Sequence, residues 1–128
     1  MGFEFENNAP IYIQIIEQIK TDIISGNIDA GQRLPSVRDI AVRFKVNPNT
    51  VQKALSDLEG MGLIYTERTN GKFVTDDIGL IEQYKKEYAD ILSEKFLLSM
   101  KSIGYDENTA IDYLKKFGGN ENGAFKMH

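Results

Sequence analysis

Two helix starts lie so close together that only one short helix and a tight turn fit between them. They are Ser36 and Asn47-Pro48, inside the stretch LPSVRDIAVRFKVNPNTVQKALSDLEGMGLIYTERTNGKFV from Leu34 to Val74. Ser36 offers an N-cap oxygen, and Asp39 three residues later completes a capping-box-like pattern less well than the longer Glu would. Val37, Ile40, Ala41 and Phe44 then fall on one helical face, and Val46 fills the turn. Asn47 caps a second helix, and Pro48 occupies the first helical position, where no hydrogen bond is lost. Val51, Ala54, Leu55 and Leu58 form its buried stripe, so Asn49, Thr50, Gln52, Lys53 and Ser56 face outward.

That outward face carries side-chain donors and acceptors of the kinds that read base edges or hold phosphates, with no acid before Asp57. A solvated surface helix more often interleaves Glu and Lys at four-residue spacing. Helix, turn and helix alone describe any αα-hairpin. Two further features favour nucleic acid. Arg33, Arg38, Arg43, Lys45 and Lys53 stand against only Asp39 between positions 33 and 53. Leu63 to Thr66 and Phe73 to Val74 read as strands, and the tip between them holds Arg68, Asn70, Gly71 and Lys72. Such a tip suits a wing laid along a minor groove or a phosphate backbone.

LPSVRDIA, VNPNTVQKALSDLEGMGLIY and the NGKFV wing resemble the winged helix-turn-helix of GntR-type bacterial transcription regulators. The resemblance extends upstream through PIYIQIIEQIKTDIISGNIDAGQRLPS and covers about residues 9 to 75. It implies a dimeric, operator-binding regulator, with repression taken as its action. By position in the motif, Arg38 of the first helix contacts DNA, as do Asn49, Thr50 and Gln52 of the second and Gly71 and Lys72 of the wing. Asn49, Thr50 and Gln52 are assigned to base edges, and Arg38, Lys53 and Lys72 to phosphate. Asn47, Arg68 and Asn70 complete the candidate DNA-binding set. Many relatives carry Arg or Ser where Pro48 stands and Arg where Gln52 stands, so the bases read do not transfer.

The chain of 128 residues has no cysteine and one histidine, His128. A disulfide framework, a thiolate metal site and a histidine-clustered metal site are thereby excluded. No apolar run approaches the ~20 residues that span a bilayer. MGFEFENNAP lacks the basic start and apolar core of a signal peptide, so the expected location is the cytoplasm. The net charge of −4 is unusual for a DNA-binding protein, but its distribution matters more than its sum. Residues 1 to 75 hold 8 Lys and Arg against 9 Asp and Glu, and residues 76 to 128 hold 7 against 10. Acid thus concentrates in the tail and the opening segment, away from positions 33 to 53.

Phe3 and Phe5 alternate with Glu4 and Glu6, and their aromatic rings are read as packing on a neighbour. Pro10 opens a helix to about Ser25 with Tyr12, Ile15, Ile16, Ile19 and Ile23 on one stripe, and Gly26 stops it. After the wing, Asp76-Asp77 precedes a long helix from Ile78 to about Ile103, and Asp106 caps a last helix to about Phe117. Asn120 to His128 reads as a frayed tail. Ile81, Tyr84, Tyr88, Ile91, Leu92 and Phe96 make one stripe of the long helix, while Leu97, Leu98 and Met100 add apolar surface on other faces. A helix apolar on several faces needs more than one covering partner. The expected fold is therefore mostly α with a small β-hairpin wing: a winged helix-turn-helix over residues 1–75 and a two-helix dimerisation tail over 76–128. A short two-helix tail in place of an effector domain is what the YtrA-like branch of GntR regulators carries as its dimer interface.

The leading reading is a homodimeric, sequence-specific transcription regulator on a two-fold double-stranded DNA operator, with no cofactor and no membrane partner. A small-molecule effector between winged domain and tail would alter the spacing of the halves. Tyr84, Tyr88, Tyr105 and Tyr113 could line such a pocket, yet aromatic stripes at helical spacing are more often core, and no site is assigned. The alternative is a winged-helix protein–protein interaction module without DNA binding. An enzyme is the poorest fit, since the chain shows no P-loop, no GxGxxG, no nucleophile with a nearby base and no recognisable carboxylate pair.

Overall fold

The computed structural model describes residues 9–119, and the chain divides into two compact units within a long helix, after Lys85. The order is α1 (Ile11–Ser25), α2 (Val37–Phe44), α3 (Pro48–Gly60), β1 (Ile64–Glu67), β2 (Gly71–Val74), α4 (Ile78–Ser102) and α5 (Glu107–Gly118). This is the mostly helical fold with one hairpin that the sequence implies. The readings made for Phe3, Phe5 and Asn120 to His128 lie outside the described residues.

In the first unit α3 packs on α1, α2 and β1. Its stripe Val51, Ala54, Leu55 and Leu58 is fully buried, and Ile15, Ile16, Ile19, Ile23 and Ile24 of α1 close over it with Leu63, Ile64 and Val74. Burying each such side chain contributes roughly 1.5–3 kcal/mol. Local chemistry sets the helix ends. Gly26 takes a left-handed φ of 85° and returns its N–H to the Ile23 carbonyl, ending α1. The Ser36 hydroxyl accepts from the Asp39 N–H at 3.1 Å, and the Asn47 side chain accepts from the Asn49 N–H at 2.7 Å. Between them Lys45 adopts φ 59° and bonds back to Ala41 and Val42. A non-glycine residue thus makes the left-handed turn that swings the chain from α2 into α3.

The hairpin pairs Ile64 with Val74 and Glu67 with Gly71, leaving Arg68 to Asn70 as its turn. Gly71 and Lys72, expected at the tip, therefore belong to β2. Arg33 forms an antiparallel bridge to Phe73 alongside. There the Leu34 N–H donates to the Lys72 carbonyl, and the Val74 N–H to that of Gln32, each at 2.8 Å. The start of α4 also belongs to this unit. Asp77 caps it by accepting from the Leu80 N–H at 3.1 Å, Ile81 is buried, and the Tyr84 hydroxyl donates to the Met61 carbonyl at 3.0 Å.

The second unit contains the rest of α4 and α5. Gly104 at φ 102° turns the chain, Tyr105 and Tyr113 rings stand 5.8 Å apart, and Ala110 is buried. Around them Ile91, Leu92, Leu98, Ile103, Ile111, Leu114 and Phe117 remain exposed. Asp106 caps α5 by accepting from the backbone N–H and the hydroxyl of Thr109, each at 2.9 Å. These bonds, the backbone one first, hold its carboxyl below the usual carboxylate range. A carboxyl depressed on folding stabilises the unit above its unfolded pKa, and that contribution disappears as pH falls through the folded value. Melting of the tail followed between pH 6 and pH 2 should lose stability on acidification, and Asp106→Asn should flatten that dependence.

Candidate nucleic-acid interface

The recognition face of α3 follows from its burial. With Val51, Ala54, Leu55 and Leu58 turned inward, Asn49, Gln52, Lys53 and Ser56 are exposed and Thr50 is half-buried at the helix start. Asn47 and Pro48 fix where that start falls, so Asn49, Thr50 and Gln52 share one short exposed surface. The Asn47 carboxamide oxygen is committed to the cap, which makes this residue a determinant of the helix start rather than a free polar group. Arg38 is exposed in the first turn of α2. The structure brings these six residues onto α2 and α3 on either side of the Lys45 turn.

The cations from Arg33 to Lys72 divide into two sets. Arg33, Arg38, Arg43, Lys45 and Arg68 make no ion pair among the described residues. Two others are engaged inside the fold. The Lys53 ammonium lies 3.8 Å from the centroid of the Tyr12 ring, a cation–π contact across α3 and α1. Lys72 Nζ donates to Thr66 Oγ1 at 2.8 Å and pairs with Glu59 Oε1 at 3.4 Å. Thr66 donates in turn to Glu59 at 3.1 Å. The side chain of Lys72 is only 19% exposed, so it points to the end of α3 and not out from a wing tip. Neither partnership was visible to sequence reasoning, because the partners are distant in the chain.

At the wing, Arg68 and Asn70 are exposed, and the Asn70 amide donates to Glu67 Oε1 at 3.3 Å. Gly71 has φ 99°, a region that L side chains rarely adopt. A Cβ there would stand 3.4 Å from Nε and Nη2 of Arg33, so glycine also lets the guanidinium lie against the strand. Arg33 is therefore a wing residue in space, although it precedes α2 in the chain. Sequence reasoning read it as a phosphate contact or, equally, a solvated loop charge, and kept it outside the candidate set. The available signal was the arginine directly before LPS, but its seat depends on the pairing with Phe73.

Among the described residues no group of three or more His, Cys, Asp and Glu could hold a metal ion, and no helix is long and apolar enough to cross a membrane. Two capped helices joined by a tight turn, a polar outward face and a hairpin wing define a winged helix-turn-helix regulator. The model for bacterial regulatory proteins of the gntR family matches residues 11–74, half of the chain, and the chain belongs to that family. It is a family of regulators, not of enzymes. The chain is 42% identical over 71 residues to the transcriptional repressor YtrA of Bacillus subtilis, which covers 56% of this chain and 55% of that protein. A solved GntR family transcriptional regulator from Listeria monocytogenes superposes with a TM-score of 0.81 at 40% identity, covering 88% of this chain and 98% of that one. The DNA-binding domain of AraR, solved in complex with an operator, superposes with a TM-score of 0.51 at 35% identity, covering 59% and 88%.

Proposed function

We propose that this protein is a homodimeric, cytoplasmic transcription regulator, a repressor, that binds double-stranded DNA at a two-fold operator. Its winged domain is residues 1–75 and its dimerisation tail 76–128. The observation that carries this reading is the exposed face of α3, whose polar side chains precede any acid, in a unit where Arg33, Arg38, Arg43, Lys45 and Arg68 make no ion pair among the described residues. An arrangement of unpaired arginines costs self-repulsion in an isolated protein and is relieved by phosphates. The repressor name of YtrA and the operator complex of the AraR domain support the same reading.

In this reading Asn49, Thr50 and Gln52 meet base edges in the major groove, and Arg38 holds a phosphate. The exposed apolar surface of α4 and α5 meets the same surface of a second chain, as two-fold symmetry requires. Two copies of α3 would then address successive major grooves about 34 Å apart. Selection from a random duplex library should enrich an inverted repeat with half-sites about one helical turn apart. Failure to enrich any sequence would instead favour a winged-helix module that binds protein. Within the DNA reading, Arg38→Ala should weaken binding to all duplexes alike. Gln52→Ala should relax the preference at one base pair in each half-site, a loss of about 1–3 kcal/mol in discrimination. Equal losses for both variants on specific and random DNA would refute the assignment.

A further inference from the structure

The wing holds two basic side chains that the sequence places together, Arg68 and Lys72, and of these only Arg68 makes no ion pair among the described residues. Lys72 turns back to Thr66 and Glu59. On the other side of β2 the Arg33 guanidinium lies within van der Waals reach of where a Gly71 side chain would begin. Between this guanidinium, the hairpin turn and the start of α2 is a notch of about 330 Å³, whose lining includes Arg33, Ser36, Glu67, Arg68, Gly71 and Lys72. Arg33 and Arg68 have no ion-pair partner among the described residues, and the Glu67 carboxylate accepts one bond from the Asn70 amide at Oε1. The notch also reaches the first turn of α2, where backbone N–H groups carry partial positive charge.

We propose that this notch seats one backbone phosphate of DNA, held by Arg33 and Arg68, and that Lys72 is a positioning residue that ties the wing to the end of α3. The proposal rests on the DNA-binding reading and names contacts within it. Arginine suits the seat because its planar fork can present two N–H groups to two phosphate oxygens at once. Three features support this division of roles. Arg33 is anchored by its own backbone bridge to Phe73, so its stem is fixed where the strand is fixed. The guanidinium lies at van der Waals distance, 3.4 Å, from where a Gly71 Cβ would stand, and the φ of 99° there favours glycine. Lys72 already has a carboxylate partner in Glu59, and moving to a phosphate would break that pair. Arg33 and Arg68 make no ion pair among the described residues, although the Glu67 carboxylate lines the same notch.

The test is the salt dependence of DNA affinity for the full chain and for Arg33→Gln, Arg68→Gln, Lys72→Gln and Glu59→Gln, with the melting temperature of each checked. A lost phosphate contact lowers the slope of log affinity against log salt by about 0.9. Arg33→Gln and Arg68→Gln should each show that loss and weaken specific and random duplexes by the same factor. Lys72→Gln should leave the slope unchanged, and the double change Lys72→Gln with Glu59→Gln should bind no more weakly than the worse single change. An unchanged slope for Arg33→Gln with a reduced slope for Lys72→Gln would overturn the proposal. Absence of any salt-dependent binding by the unaltered protein would overturn the DNA reading and this proposal with it.

Discussion

Ile111→Asp combined with Leu114→Asp should convert the proposed dimer into monomers and reduce operator affinity by about 10²-fold or more, while each monomer keeps its fold. Ile111 and Leu114 are 40% and 49% exposed on α5, so a charge at either position removes little from the packing of its own chain. Ile91, Leu92 and Leu98 on α4 of the same unit are likewise 53%, 50% and 61% exposed. Exposed apolar side chains in this number on a small unit suit the proposed partner surface, where carboxylates would be desolvated against a second copy of themselves. The loss in affinity comes from linkage: one half-site bound raises the effective concentration at the other, a gain of 10²–10⁴ without a new contact. Sedimentation equilibrium and operator binding should fall together. A variant that remained dimeric, or a monomer that bound the operator as tightly as the parent, would refute the assignment of this face.

Leu55→Ala should cost about 2–5 kcal/mol of stability and abolish DNA binding through unfolding of the winged unit. Leu55 is fully buried at the middle of α3, the helix that packs on α1, α2 and β1. Its loss leaves a cavity where three elements meet, and a small unit has no second core to compensate. Urea unfolding should move the midpoint down with an unchanged slope. Gln52→Ala, one turn away but exposed, should leave the midpoint in place. The two substitutions therefore separate the inward face of α3 from its outward one. A Leu55→Ala protein of unaltered stability would contradict the packing described.

What the sequence made legible is local. Ser36, Asn47-Pro48 and Asp106 each announce a helix start through a side chain acting within three residues, and each makes that bond in the structure. The inward stripe of α3 follows from its period and is fully buried. The family was legible for the same reason, since its pattern is a run of such local signals. What remained hidden depends on partners far apart in the chain. Lys53 meets Tyr12, Lys72 meets Glu59, and Arg33 meets Gly71 and Phe73. No periodicity shows which of several cations is occupied by another element, and that is what separates a free cation from a brace. The turn length of the hairpin had the same cause. Gly71 and Lys72 look like tip residues by composition, but the register with Glu67 and Thr66 draws them into β2.

The most direct test of the DNA-reading face of α3 is fluorescence anisotropy on the duplex upstream of the protein's own gene, beside a scrambled duplex, at several salt concentrations. The account predicts a preference of ~10³-fold or more for the native duplex, with affinity falling steeply as salt rises. Equal, weak and salt-insensitive binding to both duplexes, together with no enrichment from a random library, would contradict it.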